Sequence, residues 1–403
     1  MPSKFVGAKL IELYNRLIKY DKSLGVYKNG EDNNYPSRVE RIINNSATAK
    51  PSINLFRKYI VGKGFGNSLN DFVVNKDQTT LRRFLFNVAH SYAYQNGVFI
   101  HVDYNLNYNI TGLKVLPYKH CLIGKKDDKN WSGKILVYDN WQGESGKIDR
   151  NKINEVDAYN PNPKVIQSQI KKAGGIKNYK GQIFFYNPED TIYPLSHIDN
   201  VLNDADSEFR VSQYKNTSLL KGFFGKKMVI TPPIVESELR KPDDQLSEGE
   251  VAEKRIKERA LESFRNELRS FVGADNVDGI FHFELDYDAE GIDKAIKFVD
   301  IDTNIDDKLF AHTERSVSQN IAKSIGVPSI LIDNSDNSIF GNSGALLDAA
   351  RSFFQEQRME DIENLTRSIF NPLFAKFQDF PMPEGGLKII PLFQKTNETN
   401  HES

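Results

Sequence analysis

The sequence predicts an α+β protein with two or three cores of ordinary size. One observation is bulk: 403 residues, 39% apolar and 27% charged, enough chain to bury more than one core. A second is local: residues 98–193 alternate apolar and polar in short runs, as half-buried strands do, while the flanking segments repeat every three to four residues, as helices do. A third is the stretch 225–300, where strand-like runs bracket one highly charged helix, a βαβ-like unit inserted between two further helices.

The elements follow in chain order. Residues 5–20, within MPSKFVGAKLIELYNRLIKY, read as an amphipathic helix without the continuous apolar segment of a signal peptide. Pro36 reads as a first-turn proline opening a helix through Val39, Ile42 and Ile43. Pro51 restarts a helix through Ile53, Phe56, Ile60 and Val61, ended by Gly62-Lys63-Gly64. Thr80 to Gln95 forms a third helix with Leu81, Phe84, Leu85, Val88 and Tyr92 on one face, stopped by Gly97. VFIHVDYN, GLKVLPYKHCLIGK, KILVYDNW and QIFFYNP then read as strands joined by loops.

In the second half, Ser196 caps a helix through Ile198, Val201, Leu202, Phe209, Val211 and Leu219. KKMVITPPI is a short strand stopped by Pro232-Pro233. Glu248 to Arg269 carries six acids and six bases over a thin apolar stripe, so most of this helix faces water or a neighbouring subunit. GIFHFELDYD and AIKFVDID are strands, and DDKLFAHTERSVSQNIAKSIG is a helix. A long polar stretch rich in Asp, Asn and Ser follows. The last long helix, Ser343 to Phe370, carries Leu346, Leu347, Ala350, Phe353, Phe354, Ile362, Leu365 and Ile369. The tail QKTNETNHES is polar and has no core to join.

Net charge is −1, so any nucleic-acid contact comes from local patches rather than a basic chain. The single cysteine, Cys121, excludes an intrachain disulfide framework and a multi-thiolate zinc site, and it fits a reducing compartment. No apolar run approaches the roughly 18 residues that span a bilayer. The seven histidines, His90, His101, His120, His197, His282, His312 and His401, share no metal-ligand spacing. VGKGFGNS lacks the spacing that wraps a phosphate and follows a helix, so it reads as a helix-ending glycine turn. Gly341-Asn342-Ser343-Gly344-Ala345 looks like a nucleophile elbow, but a loop precedes it and the only later histidine is His401 in the polar tail. A helix cap at Ser343 is the plainer reading, and no catalytic residue, metal or cofactor is expected.

Three stretches, taken in order, resemble the tailed-bacteriophage portal proteins of the HK97 type. NNYPSRVERIINNSATAKPSINLFRKYIVGKGF is similar to the family's N-terminal region, with its N-x-YP, S-x-T and I-x-G-x-G signals. YPLSHIDNVLNDADSEFRVSQYKNTSLLKGFFGKKMVITPP is similar to its central helix, running through a Phe-Gly turn into a strand. NIAKSIGVPSILIDNSDNSIFGNSGALLDAARSFFQEQRMEDIENLTRSIFNPLF is similar to its IA-x-x-x-GVP turn, variable loop and long helix. The resemblance implies a portal fold: residues 1–196 as an α/β wing, 197–224 and 301–326 as stem helices, 225–300 as a small βαβ clip, 327–344 as a tunnel loop, and 345–380 as a wing helix. Residues 381–403 leave little or no crown.

The resemblance also implies a function without catalysis. The chain would form a ring of about twelve subunits at one capsid vertex of a virion assembled in the host cytoplasm, with double-stranded DNA passing through its channel during packaging and ejection. Its partners would be the large terminase subunit, the head–tail adaptor, the major capsid protein and a scaffold protein, with no membrane. Asp333, Asn334, Ser335, Asp336, Asn337, Ser338, Phe340 and Asn342 of the tunnel loop would touch DNA transiently, since a loop without Lys or Arg suits passage better than grip. Lys308, Glu314, Arg315 and Lys323 of the second stem helix would either line the channel or pair between neighbouring subunits. Lys226, Lys227, Arg255 and Arg259 would face partners at the clip. Two rival readings remain: a virion structural or adaptor protein without a channel, and a serine hydrolase built on Ser343.

Overall fold

The computed structural model describes residues 19–124, 133–141, 148–220, 227–231, 280–284, 297–300, 307–332 and 344–393. They divide into two units, Met1–Ala205 with Ser318–Ser403, and Asp206–Val317. The protein is α+β, with helices and strands in both units.

The first unit opens with a short hairpin, β1 (Tyr20–Asp21) and β2 (Val26–Tyr27). Tyr20, expected at the end of a helix, is therefore in a strand, and residues 1–18 lie outside the description. Helix α1 (Tyr35–Asn45) has Pro36 in its first turn, where the missing N–H costs nothing, and buries Val39, Ile42 and Ile43. Helix α2 (Ala49–Val61) buries Ile53, Phe56 and Ile60 but leaves Val61 half-buried. It ends at Gly62 with φ 52°, and an added Cβ there would collide with the Ile390 carbonyl. Helix α3 (Leu81–Gln95) is capped by Thr80, whose side chain accepts from the Arg83 N–H, and buries all five expected apolar residues. Asn96, not Gly97, takes the left-handed turn that ends it, at φ 54°. Gly97 is needed for another reason: a Cβ there would sit 2.9 Å from the Tyr118 ring and 3.0 Å from Pro194.

Strands β3 (Val98–Tyr104), β4 (Ile110–Leu116), β5 (Cys121–Ile123), β6 (Lys134–Val137), β7 (Asn154–Ala158) and β8 (Gln182–Tyr186) form one sheet, ordered β4-β3-β8-β7-β6-β5. The β7–β8 pair is parallel because helix α4 (Pro163–Lys172) carries the chain back between them. Neither β7 nor α4 was anticipated. Phe99, Tyr118, Leu122, Ile135, Val156, Ile183 and Tyr193 form the core on this sheet.

The C-terminal segment returns through helix α7 (Gly344–Leu365), a π-helical turn (Thr366–Phe370) and α8 (Asn371–Phe374). Pro372 explains the wide turn, since it offers no N–H and crowds the carbonyl four residues before it. Phe370 and Phe374 pack on Phe84 at ring separations of 5.9 and 6.2 Å, which fastens this helix to α3. Four expected core residues of α7 are not buried: Leu346 is 52% and Phe353 55% exposed, and Leu347 and Ala350 are half-buried.

In the second unit, β9 (Lys227–Thr231) pairs in parallel with β10 (Ile280–Glu284) and antiparallel with β11 (Lys297–Asp300). A parallel pair demands a crossover, consistent with the βαβ expectation. The charged segment Glu248 to Arg269 lies outside the described residues. The chain passes into this unit along α5 (Leu202–Leu220) and out of it along α6 (Asp307–Ile325).

Candidate functional site

The residues that begin α5 and those that end α6 lie together in the first unit, where three separated stretches of sequence meet. The Tyr35 hydroxyl donates to Asp199 Oδ1 at 2.7 Å and accepts from the Ser196 N–H at 3.0 Å. Burial is the main reason its phenol is pushed well above the usual range, so Tyr35 remains a donor at any working pH. Ser196 was expected to cap α5: its hydroxyl accepts from the Ile198 N–H at 3.5 Å while donating to the Tyr94 carbonyl at 2.7 Å, and the turn it opens is the 3-10 turn Asp199–Val201 that precedes the helix. Gln95 donates to the Pro36 carbonyl at 3.0 Å, closing the link between α1 and α3.

The end of α6 is fastened to the same place. Ser324 Oγ donates to Asn200 Oδ1 at 2.7 Å and lies 3.2 Å from the His197 carbonyl. Asn320 donates to Asp204 Oδ2 at 3.2 Å. The helix stops where Gly326 turns left-handed, at φ 72°, and the Val327 N–H reaches back to the Ala322 carbonyl at 2.9 Å.

Beneath this junction sits a half-buried polar cluster. Arg358 and Asp361 form an ion pair at 3.3 Å, and Tyr92 donates to Asp361 Oδ1 at 2.8 Å. The Arg358 guanidinium lies over the rings of Phe56 and Phe354, at 4.7 and 5.4 Å. His197 packs against Phe56 and Tyr92 at 4.9 and 5.0 Å between ring centres. Burial, helped by the Arg358 charge, lowers its pKa to about 4, so it is neutral at physiological pH. Burial raises the Asp361 carboxyl, opposed by the Tyr92 hydrogen bond and by Arg358. None of Tyr92, Arg358 and Asp361 stood out in the sequence as a polar group. The available signal was Arg358 and Asp361 three residues apart on a helix, a pair that can meet.

Of the second stem helix residues, Arg315 and Lys323 are exposed on α6. Lys323 lies opposite the buried stripe of Val317, Ile321 and Ile325. Lys308 and Glu314 belong to the same helix, and Lys227 to β9. All eight loop residues, Asp333, Asn334, Ser335, Asp336, Asn337, Ser338, Phe340 and Asn342, lie outside the described residues. So do Lys226, Arg255, Arg259, Ser343 and His401.

The Gly62–Gly64 turn has no amides to offer a phosphate. The Lys63 N–H donates to Ile390, that of Gly64 to Val61, and that of Phe65 to Asn70 Oδ1. Cys121 is buried and its thiol is pushed far up by that burial, which leaves it inert. Among the described residues no cluster of His, Cys, Asp and Glu could hold a metal ion, and no helix is long and apolar enough to cross a membrane.

Among solved structures, the chain is similar to the neck of the empty gene transfer agent particle determined with C6 symmetry, at 12% identity and TM-score 0.48, over 86% of this chain and 82% of that one. It is similar to the virion of the native gene transfer agent particle at 12% identity and TM-score 0.42, over 83% and 78%. It is also similar to an HK97-family phage portal protein from Corynebacterium diphtheriae, at 11% identity and TM-score 0.31, over 87% and 90%. No family model matches the sequence, and no curated protein matches it.

Proposed function

We propose that this chain is a tailed-phage portal subunit, a ring-forming virion protein that conducts DNA and docks the packaging motor and the head–tail adaptor. One observation carries the reading. The three stretches that resemble portal sequence meet at one junction: Tyr35 from the first holds Ser196 and Asp199 of the second, and Ser324 from the third holds His197 and Asn200. Together they root the two helices through which the chain enters and leaves the second compact unit. A pair of helices rooted in one body and carrying a second is what a stem and clip require.

In this reading the first unit supplies the wing, α5 and α6 the stem, and the β9–β11 sheet part of the clip. Residues 327–344 are the tunnel loop, and Asp333 to Asn342 meet passing DNA. Their lack of Lys and Arg keeps the counterion-release affinity low, so DNA slides rather than sticks. Of the two stem charges with described side chains, Lys323, opposite the buried stripe of α6, is the better oriented to meet either DNA or a neighbouring subunit. The large terminase subunit and the adaptor bind at the clip in turn, through Lys226, Lys227, Arg255 and Arg259. The capsid protein and scaffold surround the ring.

Negative-stain imaging with mass photometry of the full chain tests the reading. Closed rings of about twelve subunits with an axial channel are expected. Chains that stay monomeric even with capsid and scaffold proteins present would overturn it. Deleting Asp333 to Asn342 tests the loop: loss of packaging or of DNA retention is expected, and unchanged titres would remove its role.

A further inference from the structure

Helix α7 is apolar on two sides, and among the described residues only one of them has a neighbour packed against it. Leu347 and Arg351 face a groove of about 310 Å³, walled by Leu55, Tyr59, Ile330, Leu331, Leu392 and Phe393. At 100° per residue, Leu346 and Phe353 fall within about 20° of each other and about 120° round the helix from that groove. They are 52% and 55% exposed, and no residue from Gly344 to Phe353 is buried. A helix that is apolar on more than one side is normally buried on more than one side. Ala349 stands exposed between them, so the ridge is Leu346, Ala349 and Phe353 and is narrow enough to enter a groove.

The charges indicate what covers it. Exposed Glu360 continues the line of the ridge, two turns beyond Phe353. The groove is rimmed by cations: exposed Lys58, and Arg351, which lies 5.5 Å over the Phe393 ring and pairs with Asp348 at 3.1 Å. An apolar ridge with an acidic end therefore matches an apolar groove with a basic rim, and one chain carries both. Two different surfaces meeting head to tail propagate round a ring, whereas a ridge meeting a ridge stops at a dimer.

We propose that the Leu346–Phe353 ridge of one subunit seats in the Leu55–Leu331–Phe393 groove of the next copy, with Glu360 of the ridge meeting Lys58 on the groove rim. The inference rests on the ring reading above and names the surfaces that close the ring.

Crosslinking on the full chain tests it, since buried Cys121 stays silent. The double variant Lys58→Cys/Ala349→Cys, treated with a short bismaleimide, should give a ladder of oligomers, and each single variant should give none. Dimers from Ala349→Cys alone would mean that ridge meets ridge. A purely internal link would mean that the two positions meet within one chain and not between copies. Either result overturns the proposal. Wild-type assemblies that form while the double variant gives no ladder would refute these surfaces and leave the ring reading standing. Absence of any wild-type assembly, with or without capsid and scaffold proteins, would remove both. As a second measurement, Leu346→Glu/Phe353→Glu should weaken assembly by ~100-fold with an unchanged melting temperature, because both sites are exposed. Lys58→Glu should weaken it by ~10-fold, and adding Glu360→Lys should restore it. An unchanged assembly in either case counts against the interface.

Discussion

Replacing His197 with Phe should flatten the acid side of the stability profile. His197 is held among Phe56, Tyr92 and Arg358 with its pKa lowered from the ordinary 6.5 to about 4. Between those values the unfolded chain takes up a proton that the folded chain refuses. Stability is therefore intact above about pH 6.5, falls as pH drops towards 4, and loses nothing further below that. A difference of this size corresponds to about 3 kcal/mol across the window at 1.36 kcal/mol per pKa unit. Phe keeps the ring packing and removes the unpartnered Nε2, at the expense of the ring's bond to the Tyr92 backbone, worth about 1 kcal/mol. The variant should thus lie about 1 kcal/mol below the wild type near pH 7 and about 1.5 kcal/mol above it near pH 4.5. Asp361, whose raised pKa acts in the opposite direction, is present in both proteins, so the difference between them isolates His197. Urea titrations at several pH values, followed by the fluorescence of buried Trp141 in the first unit, measure it. Parallel profiles for the two proteins would refute the claim that His197 is buried neutral.

Three further outcomes are expected. Tyr92→Phe removes the 2.8 Å hydrogen bond to Asp361 and should cost about 1–3 kcal/mol in the same titration, with the Asp361 carboxyl rising further. Gly62→Ala forces a side chain into a left-handed turn against the Ile390 backbone and should cost about 2 kcal/mol, read as a lower melting temperature. Gln355→Ala deletes the buried amide oxygen that accepts from the Leu392 N–H at 3.0 Å. Hydrogen exchange at Leu392 and Phe393 should speed up while that of α3 is unchanged.

Much of the local structure was legible in the residues alone. Pro36, Thr80 and Gly62 set helix ends through φ restriction, a hydroxyl cap and access to the left-handed region, all properties of one or two residues. The stripes on α1 and α3 declared their buried faces because every turn repeats the same choice. Helix α4 was missed because its stripe is thin, with only Ile166 and Gln169 buried, although the Asn162 cap and Pro163 at the first turn were there to be read. The order β4-β3-β8-β7-β6-β5 was not readable at all, since a strand's pattern states which face is buried and not which strand lies beside it. The portal-like stretches were recognisable one by one, but their meeting at Tyr35, His197 and Ser324 depends on side chains more than a hundred residues apart finding one another. Leu346 and Phe353 mark the clearest division. Periodicity established that they belong against something apolar, and only the folded chain left them exposed, because burial is a property of everything packed around a residue and not of its place in a repeat.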